Sequence, residues 1–225
     1  MQVDDRGIEI GWRKAREVLY YLLHHRNGVP PDTLCEAIWP ELPARRGRDT
    51  LWTAIHLLRK HLPAGCIVFH GRKLYRFNRD IVLLDYDVEQ FLQLLSTNNS
   101  FEAHSMALDL YQGSYLPWSD TPWTVSIRTD MEQRYLQTLR LVAASYEQRN
   151  AYEEALNLYR RMLELDPLDE ATHARVMNCQ IILGNRAAAV EQYGRLRHVL
   201  NEELGLDLDP ASEAERLYCD LLTPA

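Results

Sequence analysis

The 225-residue chain lacks the features of secreted, membrane-spanning and metal-binding proteins. Its four cysteines lie far apart and form no C-x-x-C pair, so we expect reduced thiols in the core of a cytoplasmic protein. No apolar run reaches the roughly 18 residues that a transmembrane helix needs, and the charged N-terminus does not resemble a signal peptide. The eight histidines show no metal-ligand spacing. We therefore expect no metal, no cofactor and no membrane partner.

The motifs of common enzyme classes are also missing. The chain has no G-x-S-x-G elbow, no H-E-x-x-H pair and no G-x-x-x-x-G-K-[ST] phosphate-binding loop. Acidic neighbours such as Glu153 and Glu154 point apart on a helix, which is more typical of a solvated face than of an acid–base pair. These absences favour a binding or regulatory protein over an enzyme.

Charge is distributed unevenly along the chain, whose formal net charge is −7. Residues 1–84 hold 14 Lys and Arg against 9 Asp and Glu, a net charge of +5, whereas residues 85–225 hold 11 against 23, a net charge of −12. We expect two domains with these bounds, of which the basic one suits nucleic acid. Ordinary surface variation would also account for +5, and the overall acidity with only three lysines favours a protein partner.

The stretch from residue 45 to residue 62 combines an apolar stripe with a basic and polar face. At 100° per residue its large apolar residues fall on one side of a helix: Leu51, Ile55, Leu58 and Leu62. The other faces carry the predicted DNA-contacting residues: Arg45, Arg46, Arg48, Trp52, Thr53, His56, Arg59 and Lys60. Gly47, which costs about 1 kcal/mol relative to alanine in a helix, is interpreted as part of a fraying helix end. Such a helix suits the major groove of DNA.

Two helices precede this stretch and a hairpin follows it. The pattern predicts a helix over Trp12–His25 and a short helix from Pro31 to Trp39. Two short strands are expected before Trp12, at 1–3 and 7–10, and two more at 66–70 and 74–77, with a third strand beside that pair at 82–84. The hairpin carries the predicted wing contacts, which are Arg72 and Lys73 in its turn and Arg76 in its second strand. Three helices and a basic-tipped hairpin predict a winged helix-turn-helix, the alternative being a small helical domain that binds nothing.

From Asp85 onward the pattern is helical and repetitive. A short motif recurs three times, ending in Tyr111, Tyr159 and Tyr193 and beginning with Ala107, Ala155 and Ala189. The last two copies are 34 residues apart, which is the period of tetratricopeptide repeats. The first copy lies 48 residues before the second, which predicts an insert near residues 112–123. The small alanines and large tyrosines are interpreted as packing residues of a short helical solenoid.

The order of several motifs resembles that of the SARP-type regulators, the Streptomyces antibiotic regulatory protein family. These motifs lie at Ile38–Glu41, Leu57–Leu62, Ala107–Gly113, Asp166–Glu170 and Glu202–Pro210. The resemblance covers nearly the whole chain. It implies a mainly α protein in which a winged helix-turn-helix is followed by an all-α, tetratricopeptide-like bacterial transcriptional activation domain.

The resemblance also implies a function. The chain is expected to be a bacterial transcription regulator, with activation favoured over repression, that binds promoter direct repeats as a head-to-tail pair and contacts RNA polymerase. The groove helix is then Arg45–Leu62 and the wing is Gly71–Phe77. That winged-helix type usually opens with a four-stranded sheet, so the expected sheet is truncated here. The chain is interpreted either as part of a longer protein or as one whose first strands are lost. The alternative is a protein-interaction module whose winged helix does not bind DNA.

Overall fold

The computed structural model describes residues 2–3, 6–7, 10–71, 73–97 and 100–223. The described chain is mainly helical, as predicted, and forms two compact units. The first unit comprises Met1–Tyr86 together with Ser114–Met131, and the second comprises Asp87–Gly113 together with Glu132–Ala225. Residues 114–131 therefore cluster with the N-terminal unit, whereas the division expected after residue 84 assigned them to the helical part.

The first unit has the predicted order of three helices followed by a hairpin. Its elements are β1 (Gln2–Val3), β2 (Arg6–Gly7), α1 (Arg13–His24), α2 (Pro31–Ile38), α3 (Ala44–His61), β3 (Ile67–His70) and β4 (Leu74–Phe77). β1 pairs antiparallel with β2, and β3 pairs antiparallel with β4. β1 lies within the first expected N-terminal strand, whereas β2 overlaps the second only at Gly7. Ile10 lies in no strand, and Met1, Ile8 and Glu9 lie outside the described residues.

The third strand expected at residues 82–84 is wrong, because that segment pairs with no strand among the described residues. The neighbouring position on β4 is taken by Val29, which exchanges two backbone hydrogen bonds with Tyr75 at 2.8 and 2.9 Å. Gly28 makes this approach possible, since its φ is 86° and a Cβ there would lie 3.2 Å from the Tyr75 carbonyl oxygen. Leu83 is left fully exposed.

The apolar stripe of α3 is buried as predicted, and its stripe residues have almost no exposed surface: Leu51, Ile55, Leu58 and Leu62. Gly47 belongs to this buried side and not to a fraying end. A Cβ at Gly47 would lie 3.2 Å from the Cβ of Cys35 on α2. The glycine therefore allows α2 and α3 to approach closely.

The segment from Ser114 to Met131 packs on α1 through rings and hydroxyls. Trp123 makes an edge contact with Tyr21, with ring centroids 5.0 Å apart. The Thr121 hydroxyl donates to the buried Glu17 carboxylate at 3.3 Å, and the Lys14 ammonium lies 3.3 Å from the same oxygen. Because a buried carboxylate must be paired, these contacts join the segment to the first unit.

The helices that follow the hairpin are α4 (Asp87–Thr97), α5 (Phe101–Leu110), α6 (Pro122–Gln148), α7 (Tyr152–Leu165), α8 (Glu170–Ile182), α9 (Arg186–Leu204) and α10 (Glu213–Leu222). α7, α8 and α9 pack on one another in sequence order, and α10 packs on α8 and α9. The three repeat alanines are completely buried: Ala107, Ala155 and Ala189. Tyr159 and Tyr193 are buried beside them, and Tyr193 stacks on Tyr218 with ring centroids 3.9 Å apart. The repeat motif therefore consists of packing residues.

The cysteines follow the expectation of reduced core thiols only in part. Cys35, Cys66 and Cys179 are buried free thiols, but Cys219 is exposed on α10. The expectation was wrong for Cys219, which lies on the outer side of the final helix. Among the described residues, no helix combines the length and apolar character needed to cross a bilayer.

Candidate nucleic-acid interface

The three-helix core positions α3 so that one whole side of the helix faces solvent. All eight residues predicted to contact DNA from this helix are exposed: Arg45, Arg46, Arg48, Trp52, Thr53, His56, Arg59 and Lys60. In the described part of the chain, the side chains of Arg45, Arg46 and Lys60 make no hydrogen bond or ion pair with the protein. Two arginines at the start of the helix and one lysine near its end are therefore available to an anionic partner.

The middle of the exposed face carries polar groups that can reach base edges. The Thr53 hydroxyl donates to the carbonyl oxygen of Asp49 at 3.0 Å, so its proton is occupied and its lone pairs and methyl group remain. Trp52 is 66% exposed and stacks on His56, with ring centroids 5.7 Å apart and planes 14° apart. The stack restricts the orientation of the His56 imidazole.

Arg48 is exposed but engaged. Its Nε and Nη2 donate to the two carboxylate oxygens of Asp32 on α2, both at 2.7 Å. These hydrogen bonds are the main cause that lowers the pKa of Asp32. The pair is a bidentate arginine–carboxylate contact that ties the first half of α3 to α2.

Arg59 is engaged at the other end of the helix. Its Nε donates to the carbonyl oxygen of Ile67 at 3.1 Å, which ties the end of α3 to β3. Sequence periodicity placed Arg48 and Arg59 on accessible faces, and both are accessible. Periodicity does not show that each arginine has a hydrogen-bonding partner on another element.

The hairpin contributes one fully accessible cation among its described residues. Lys73 is exposed at the turn and has a φ of 60°, and its backbone N–H donates to the His70 carbonyl oxygen at 2.8 Å. Arg76 lies within β4, is only partly exposed, and its Nε is buried without a hydrogen-bond partner. Arg72, the remaining predicted wing residue, lies outside the described residues. The DNA contacts predicted for α3 and the hairpin remain predictions.

Three comparisons with known proteins bear on the chain. Residues 86–222 match the family model of the bacterial transcriptional activator domain. No curated protein matches the chain in sequence. Among solved structures the chain is similar to "Mycobacterium tuberculosis EmbR in complex with low affinity phosphopeptide", with a TM-score of 0.71 and 20% sequence identity.

The similarity to EmbR covers 99% of this chain and 62% of the EmbR chain, so this chain spans less than two thirds of the EmbR length. At 20% identity the likeness shows the fold alone. It agrees with the predicted order of a winged-helix unit followed by a helical unit.

Proposed function

Because the chain belongs to the bacterial transcriptional activator domain family, in agreement with its resemblance to SARP-type regulators, we propose that it regulates transcription by binding duplex DNA through α3. The family is one of transcription regulators and not of enzymes. The observation that carries the proposal is the solvent-exposed side of α3, where unpaired cations flank the polar residues Thr53 and His56.

The exposed residues divide into two roles. Arg45, Arg46 and Lys60 suit contacts with phosphate, which supply affinity without sequence information. Thr53 offers an acceptor oxygen and a methyl group, which suit the exocyclic amine of cytosine or adenine and the methyl group of thymine. His56, held against Trp52, is the second candidate for reading a base edge. Lys73 would contact the backbone beside the groove.

The helical unit is proposed to bind protein. Residues 85–225 carry a net charge of −12, which repels phosphate. We propose RNA polymerase, or a second copy of this chain in a head-to-tail pair on promoter direct repeats, as its partner. Cytoplasmic location and activation of transcription belong to the same proposal.

The test begins with selection of a preferred duplex from a random library and measurement of its affinity by fluorescence anisotropy. Thr53→Ala and His56→Ala should each weaken the selected duplex by about 1–3 kcal/mol and leave random duplex unaffected. Ser145→Ala is the matched control, because its hydroxyl donates to the Leu141 carbonyl oxygen at 2.9 Å in the same manner but on α6.

Two outcomes would contradict the proposal. If Thr53→Ala and His56→Ala lose the same affinity on selected and on random duplex, these two residues do not contact base edges specifically. If the protein binds no duplex even at low salt, the proposal of DNA binding is wrong. The alternative of a protein-interaction module whose winged helix does not bind DNA is then favoured.

A further inference from the structure

A pocket of about 410 Å³ opens in the second unit between α7, the start of α8 and α9. Its volume lies within the range of about 300–1,000 Å³ that is typical of small-molecule sites. The pocket is made by residues outside the DNA-contacting surface proposed above, and its chemistry differs from that of the unit around it.

The pocket is basic, although the part of the chain that forms it is strongly acidic. Arg160 of α7 and Arg195 and His198 of α9 line it, with Glu164 as an acidic neighbour. Both arginines are exposed. In the described part of the chain, neither arginine side chain makes a hydrogen bond or ion pair with the protein. Two unpaired guanidinium groups at one cavity suit an oxyanion, which they can bind through paired N–H donors.

The inner end of the pocket is a buried polar pair. His173 and Gln192 are 4% and 6% exposed. Nε2 of His173 lies 3.0 Å from the carbonyl oxygen of Pro167, which can only accept, so Nε2 carries the proton. Nδ1 of His173 therefore accepts from Nε2 of Gln192 at 2.7 Å. One N–H of the Gln192 amide is used in this way, and the amide, which lines the pocket, has a second N–H to donate.

The remaining walls are apolar and come from Leu163, Pro167 and Val199. An inorganic ion alone would leave these surfaces uncovered. A ligand that matches the whole pocket carries an oxyanion at one end and an apolar body at the other. From this arrangement we propose that the pocket binds a small organic anion, namely a carboxylate or phosphate ester with an apolar group attached.

The anion is held by Arg160 and Arg195, its apolar group lies against Leu163 and Val199, and Gln192 donates to it from below. Burial lowers the pKa of His173, and the positive charge of Arg195 acts in the same direction. His173 thus stays neutral and keeps the Gln192 amide in its orientation. The arrangement gives the helical unit a ligand site of its own.

The test uses the full chain labelled with ¹⁵N and two probes, phenylacetate and phenyl phosphate, with benzyl alcohol as the neutral control. The side-chain amide signal of Gln192 should shift saturably with the anions and not with the alcohol. The tighter of the two probes identifies the anionic group. Arg195→Gln should weaken binding by about ten- to hundredfold. Arg197→Gln should leave it unchanged, because Arg197 lies on the same helix but does not line this pocket.

The proposal is overturned if neither anion shifts the Gln192 amide, or if the Arg195→Gln variant binds as tightly as the unaltered chain. A tetraglutamate peptide is titrated in parallel. Binding of that peptide together with failure of both small anions would overturn the small-molecule assignment in favour of an acidic protein segment. DNA affinity of the same variants is measured separately, so failure here does not depend on the function of α3.

Discussion

Arginines that occupy similar exposed positions on α3 differ in what they can bind. The side chains of Arg45 and Arg46 make no hydrogen bond or ion pair within the described residues, whereas Arg48 is held by Asp32 and Arg59 by the carbonyl oxygen of Ile67. Periodicity predicts which side of a helix a residue occupies, because that depends only on spacing. It cannot predict a partner on another element, and Asp32 lies 16 residues away in sequence. The exposed face could therefore be predicted, but its available charges could not.

The neutral His173 leads to a prediction about acid stability. Burial lowers its pKa from the ordinary value of 6.5. As the pH falls below 6.5, the unfolded chain takes up a proton that the folded chain still refuses, so the free energy of unfolding should decrease. Above 6.5 both states are neutral at this residue, and its contribution to stability no longer changes with pH. Protonation of His173 at Nδ1 would also place a second donor against the Gln192 Nε2 group, which now donates to that nitrogen.

Denaturant unfolding between pH 7.5 and 5.5 measures this effect against a variant. His173→Gln should be less stable than the natural chain at pH 7.5, with a difference that narrows as the pH falls. His198→Gln is the control, since it makes the same substitution at an exposed position of α9. Parallel curves for the natural chain and His173→Gln would contradict the prediction.

The three helices of the first unit could be predicted because each has an apolar stripe and a recognisable end. α1 was expected at residues 12–25 and spans Arg13–His24; α3 was expected at 45–62 and spans Ala44–His61. The strand expected at residues 82–84 failed because pairing depends on a free strand edge, and Val29 occupies the position beside Tyr75. No sequence pattern predicts the packing of residues 114–131 on α1, because glycine, proline and hydroxyl residues are also typical of a loop.

Two helical glycines should respond oppositely to alanine. At Gly47 a Cβ would lie 3.2 Å from the Cβ of Cys35, so in Gly47→Ala the contact between α2 and α3 must yield by a few tenths of an ångström. Overpacking costs about 1–3 kcal/mol, which exceeds or cancels the gain of about 1 kcal/mol in helix propensity. At Gly194, in α9, nothing lies within 4 Å of the added Cβ, so Gly194→Ala should stabilise the protein by up to about 1 kcal/mol.

Chemical denaturation of both variants beside the natural chain checks this difference. Gly47→Ala should also lower DNA affinity, because the displaced helix is the one proposed to enter the groove. A Gly47→Ala variant that gains as much stability as Gly194→Ala would show that the approach of α2 and α3 is not tight.

Over the whole molecule, the uneven charge predicts how DNA binding responds to salt. Each phosphate contact contributes about 0.9 to the slope of log affinity against log salt. Lys73→Ala removes one exposed cation of the hairpin and should reduce the slope by that amount on every sequence. Arg197→Ala removes an exposed cation from the acidic half and should leave the slope unchanged. An unchanged slope for Lys73→Ala would show that the hairpin does not contact DNA.

The contact between Arg48 and Asp32 bears on how sequences of this family can diverge. Exposed ion pairs contribute little to stability, and here the two side chains are 62% and 56% exposed, so loss of the acid would be tolerated. Loss of Asp32 would nevertheless release a guanidinium group on the helix proposed to read promoters. In an alignment of relatives, positions 32 and 48 should therefore vary together. Lineages that kept the arginine alone would have acquired a different set of target genes.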